Sequence, residues 1–96
     1  MEAYLKVYIR DENRTPRGVA VLVRDSDGAK TLAYSLCSPK DSFDKKVGVG
    51  IALARASEIG KDEVLLPLVP DRREEVIVAY QILEKRARKY YKQDME

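Results

Sequence analysis

Hydrophobic and polar residues alternate between residues 3 and 10, with Leu5, Val7 and Ile9 on one face and Tyr4, Lys6, Tyr8 and Arg10 on the other. A period of two is the signature of a half-buried strand. The loop from Asp11 to Gly18 breaks the pattern. Val19 to Arg24 then reads as a second strand, apolar on both faces and so central. Asp25-Ser26-Asp27-Gly28 turns the chain, Gly28 tolerating a positive φ, and Thr31 to Cys37 returns as a third strand. The pattern predicts an antiparallel three-stranded meander.

A different rhythm follows. Lys46-Val47-Gly48-Val49-Gly50-Ile51-Ala52-Leu53-Ala54-Arg55-Ala56 reads as a helix with apolar or glycine surface almost all round, capped at Ser38-Pro39 or Asp41-Ser42 and stopped by Gly60. A soluble chain must cover such a helix on more than one side, which predicts a sandwiched helix or a partner subunit. Glycine inside a helix costs about 0.5–1 kcal/mol relative to alanine. Gly48 and Gly50 therefore point to a close backbone contact or a ligand. Glu63 to Val69 reads as a fourth strand, confined to a sheet margin because Pro67 removes a ladder donor. Asp71-Arg72-Arg73-Glu74-Glu75 opens a second helix whose expected buried stripe is Val76, Ala79, Tyr80, Leu83, Ala87 and Tyr90.

The expectation is a single α+β domain over residues 1–96: meander, helix, edge strand, helix (βββαβα). A four-stranded mixed sheet would carry both helices on one face, and copies would associate through the first helix or the open fourth strand. With 45% hydrophobic and 35% charged residues the composition is that of a globular protein. No apolar run approaches the ~20 residues of a membrane span, and the start lacks a signal-peptide pattern, so a cytoplasmic location is expected. The single Cys37 fits a reducing compartment and a buried structural thiol. Scarce amides, absent histidine and abundant Lys, Arg and Glu are a thermophile-type bias.

This order of elements, with Gly18-Val19-Ala20-Val21-Leu22-Val23 leading through an Asp/Gly turn to Lys30-Thr31-Leu32-Ala33-Tyr34, resembles the first two-thirds of the ribonuclease H fold. Chemistry in that family needs carboxylates that hold two divalent ions. Only Asp71 falls where one belongs; the first strand offers Lys6 and Tyr8, and the helix Gly48, Val49 and Gly50. The resemblance thus implies a truncated, non-catalytic relative. A second resemblance lies in Cys37-Ser38-Pro39-Lys40-Asp41-Ser42-Phe43-Asp44-Lys45-Lys46-Val47-Gly48, followed by Ile51-Ala52 and Arg55-Ala56. It is similar to a segment of small bacteriophage accessory proteins, among them the anti-Thoeris nucleotide sponges. It implies an anti-defence, viral or mobile-element function that sequesters a nucleotide.

Without histidine the usual general base is missing, and no phosphate loop or cysteine metal site can be built. The pairs Asp25/Asp27, Asp41/Asp44 and Glu74/Glu75 are each explained by a turn, a cap or a helix first turn. No catalytic residue, metal or cofactor is expected. The candidate ligand site is the entry to the first helix. Lys40, Lys45 and Lys46 supply charge there, Phe43 offers a stacking ring, and Arg17 and Arg55 add forks for a nucleotide or other anionic small molecule. The competing reading makes Phe43 a core anchor and the lysines a solvated rim. Lys85, Arg86, Arg88, Lys89 and Lys92, interleaved with Tyr90 and Tyr91, form an alternative nucleic-acid surface, although cations at a helix C-terminus also serve the helix dipole. A purely homo-oligomeric interaction protein is the third reading.

Overall fold

The computed structural model describes residues 3–25, 27–37, 42–68 and 70–90. Strands β1 (Ala3–Arg10), β2 (Pro16–Arg24) and β3 (Lys30–Leu36) form an antiparallel sheet in the order β1-β2-β3, as the alternation predicts. Helices α1 (Lys45–Ile59) and α2 (Pro70–Tyr90) complete the α+β domain.

The helices cover opposite faces of the sheet, not one face. Ala20 and Leu22 of β2 join Ile9 and Leu32 under Val76, Ala79, Tyr80, Leu83 and Ala87 of α2. Val19, Val21 and Val23, the alternate residues of the same strand, join Ala33 under Ala52 and Ala56 of α1. A strand apolar on both faces exposes one of them to water unless a layer lies on each side, so β2 itself dictates three layers.

The expected fourth strand is reduced to one parallel bridge between Leu32 and Val64. Leu32 N–H donates to Glu63 O and Leu65 N–H to Leu32 O, at 3.0 and 2.9 Å. Pro67 lies just beyond, where a longer ladder would need its missing N–H. The segment is fastened from the other side by α2, since Tyr80 Oη donates to Leu65 O at 2.6 Å. Burial pushes the Tyr80 hydroxyl pKa far up, so it stays a donor at any ordinary pH.

Helix α1 starts at a cap other than those expected. Asp44 is the N-cap, its carboxylate accepting from Val47 N–H at 3.1 Å, while Ser38, Pro39 and Asp41 lie outside the described residues. The helix ends at Gly60, whose φ of 94° favours glycine. Only the small residues Gly48, Ala52 and Ala56 are buried, four apart along one line, so the helix lies close on the sheet and leaves Val47 57% exposed. The described residues of the chain neither sandwich it nor cover it on two sides.

The two helical glycines differ. A Cβ on Gly48 would stand 2.6 Å from the Phe43 ring, which makes this glycine the seat of that ring. Gly50 has nothing within 4 Å of the same position. Gly50→Ala is therefore expected to stabilise the protein by about 0.5–1 kcal/mol, the helical preference of alanine with no clash against it. Thermal denaturation measures this, and a loss of stability would show that something packs on Gly50.

Two further expectations fail at the margins. Tyr90, on the last turn of α2 beyond the final core residue Ala87, is 64% exposed instead of buried. Cys37 follows the end of β3, its N–H donating to Arg17 O at 2.7 Å, and is half-buried rather than buried.

A candidate anion-binding groove along α1

The outward alternation of β1 places Tyr4, Lys6 and Tyr8 under the flank of α1, where they meet Lys45, Lys46 and Val49 around a cleft of about 220 Å³. Lys45 Nζ lies 5.0 Å from the centre of the Tyr8 ring and Lys6 Nζ 5.6 Å from it, so two ammonium groups share one aromatic ring. Phe43 meets Tyr8 edge to face, with ring centres 6.2 Å apart at 75°. Its other side rests on Gly48. Phe43 thus fixes Tyr8 and is itself half-buried, the anchor role weighed against stacking from the sequence.

Tyr4 also borders a second cavity of about 430 Å³ at the other end of α1, with Thr31, Leu53, Ser57 and Lys61 among its walls. The two spaces share Tyr4 as a common wall. The smaller of them carries three lysines and, among the described residues lining it, no acid. At the N-terminus of α1, where the sequence places an anion seat, the Asp44 carboxylate accepts from the Val47 N–H.

The structure gathers part of the expected ligand set. Lys45 and Lys46 line the cleft and Phe43 supports it. Arg17 and Arg55 are not brought there. Arg17 Nε donates to Asp11 Oδ2 at 3.2 Å. The Thr15 N–H, helped to a smaller extent by Arg17 and the Asn13 N–H, holds the Asp11 carboxyl below its usual range against the opposing effect of desolvation. Arg55 lies over β3, donating to Tyr34 O at 3.0 Å with its guanidinium 5.7 Å from the Tyr34 ring. Lys40 lies outside the described residues. Sequence reasoning missed Tyr4, Lys6 and Tyr8, although the alternation that put them on one face was the available signal.

In the alternative set, Lys85, Arg86, Arg88 and Lys89 are exposed on the last two turns of α2, with Arg86 Nη1 3.4 Å from Lys6 O and Lys89 Nζ 5.9 Å from the Tyr90 ring centre. Lys92 lies outside the described residues, as does the side chain of Asp71. Asp25 accepts from Asp27 N–H and Ala29 N–H and, like Asp27, pairs with Lys61, while Asp44 caps α1. These carboxylates are occupied in holding turns and a helix end. Among the described residues no group of three or more His, Cys, Asp or Glu could hold a metal ion, and no helix is long and apolar enough to cross a membrane.

The chain matches no protein-family model, no curated protein and no solved structure.

Proposed function

We propose that this chain is a non-catalytic binding protein that holds a nucleotide, or a related phosphate-bearing anion, in the groove along α1. The observation that carries this reading is the convergence of Lys6, Lys45 and Lys46 with Tyr4 and Tyr8 on one cleft, with Tyr4 also forming a wall of a larger cavity. Lysines neutralise phosphate, tyrosine faces stack on a base, and the larger cavity lies within the ~300–1,000 Å³ range of small-molecule sites. The likeness of residues 37–56 to bacteriophage accessory proteins fits an anti-defence sequestering role at the same helix. The ribonuclease H-like scaffold rests on the meander followed by α1, and the single bridge at Val64 departs from its four-stranded version.

The second reading is nucleic-acid binding through Lys85, Arg86, Arg88 and Lys89, favoured by their common exposure on α2. One pair of titrations separates the two. In the first reading nucleoside phosphates bind, the unphosphorylated nucleosides do not, and an oligonucleotide gains nothing with length. In the second, oligonucleotide affinity rises with length and falls steeply as salt is raised, because each neutralised phosphate releases counterions. Failure of every nucleotide, with strong binding of long oligonucleotides, would replace the first reading by the second.

A further inference from the structure

We propose that two copies of this chain join through β1, antiparallel and edge to edge, into one six-stranded sheet whose α2 helices pack across the two-fold axis. The proposal rests on the reading, made from sequence, that the protein self-associates, and it moves the interface from α1 and the fourth segment to β1 and α2.

Among the described residues β1 is an edge strand with one side unpaired by any other strand. Asp11 N–H points inward to Thr15 O, and strand alternation then turns the backbone groups of Arg10, Tyr8, Lys6 and Tyr4 outward. Arg86 Nη1, 3.4 Å from Lys6 O, is the contact that a described side chain makes with this row. Eight regular residues without proline form a template for another strand. A lysine on an edge ordinarily discourages pairing, and Lys6 opposite its own copy would repel. With Val7 on the two-fold axis, Lys6 instead faces Tyr8 of the partner subunit, so the two Lys6 side chains do not stand directly opposite each other.

Helix α2 provides the second half of the surface. Val78 and Ile82 stand 48% and 40% exposed on the side of α2 that overhangs β1, above an apolar hollow of about 460 Å³ whose rim includes Glu74 and Glu75. Antiparallel packing of α2 on its copy puts Val78 against Ile82 and Glu75 against Lys85, with Glu74 near Arg86. All three pairs are centred on residue 80, so one two-fold axis satisfies them together. This charge complementarity belongs to a second copy of the chain, because the acidic end of the stripe meets the basic end of an identical one. Val47 and Ile51 are also exposed on α1, but no opposite charges flank them at matched spacings.

The spacing agrees. Helix α2 packs on β1 and β2 alike, which places its axis about half a strand spacing, or about 2.4 Å, inside β1. Across a continuous sheet the two axes then lie about 9.6 Å apart, within the 8–10 Å of packed helices. In the pair Arg86 exchanges its long contact with Lys6 O for Glu74 of the partner subunit. On the other face the same pairing sets the two lysine–tyrosine clefts side by side.

Charge reversal tests the interface with exposed residues that have no part in the core. Sedimentation equilibrium of the parent is expected to give a dimer, and Glu75→Lys and Lys85→Glu alone each to weaken dimerisation about tenfold or more. An equimolar mixture of the two variants, and the double variant, are both expected to recover the parent affinity, since opposite charges then face each other again. Circular dichroism verifies that each variant is folded. A monomeric parent overturns both this interface and the reading of self-association. An oligomeric parent whose single variants assemble unchanged, or whose mixture does not recover, overturns this interface alone.

Discussion

Leu83→Ala is expected to lower the stability of the folded chain by about 2–5 kcal/mol, the cost of truncating a leucine that sits in a core with no room to collapse. Leu83 is fully buried at the middle of α2, among Ile9, Ala20, Leu22, Leu32, Ala79, Tyr80 and Ala87. Three of those neighbours are alanines, which have no side-chain freedom with which to fill the void. A domain of this size has about 5–15 kcal/mol in all. The loss is therefore a large fraction of the total, read as a fall in melting temperature of about 4–8 °C per kcal/mol. Ile82→Ala, one residue away and exposed, is the control and loses little from the isolated fold. If Leu83→Ala cost no more than that control, α2 would not be docked on the sheet as described.

The contrast between Leu83 and Ile82 shows where sequence pattern is informative. Helix α2 has charged residues on the water side, so its core stripe was readable down to the residue, failing only at Tyr90, beyond the end of the sheet. Strand β2 was equally plain, yet the layer arrangement drawn from it was wrong. A run apolar on both faces already required two covering layers, and assigning both helices to one face left half of the strand bare. Helix α1 was the least legible element because its apolar surface runs almost all round. Its docking face was chosen by size, with Gly48, Ala52 and Ala56 allowing the closest approach to the sheet. The cap at Asp44 was hidden among several residues able to do the same work.

The groove was half legible for a related reason. Alternation placed Tyr4, Lys6 and Tyr8 on one face of β1, but a period of two says only that residues share a face, not which helix will cover it. Local sequence drew attention to Lys45 and Lys46 at the start of α1. Their strand partners, some forty residues earlier in the chain, are joined to them only through the β2 register and the packing of α1. Arg17 and Arg55 had suitable chemistry, and Asp11 and the Tyr34 carbonyl engage them elsewhere.

Lys6→Ala and Lys45→Ala are each expected to weaken phosphate-bearing nucleotides roughly ten- to hundredfold, since a hydrogen bond to a charged group contributes about 1.5–3 kcal/mol. The double variant is expected to lose measurable binding. Both lysines line the same cleft beside the Tyr8 ring, so removing either reduces the charge available to one phosphate while the neighbouring ring stays in place. Arg17→Ala and Arg55→Ala are expected to leave affinity unchanged, because those guanidinium groups are committed outside the cleft. Lys89→Ala is likewise neutral for the nucleotide and harmful only if α2 is the binding surface. Calorimetric titration of a nucleoside diphosphate into the parent and the six variants decides the matter. A pattern in which the arginine variants lose affinity and the Lys6 and Lys45 variants do not would place the anion outside this groove, and Phe43 would then have only its packing role against Tyr8 and Gly48.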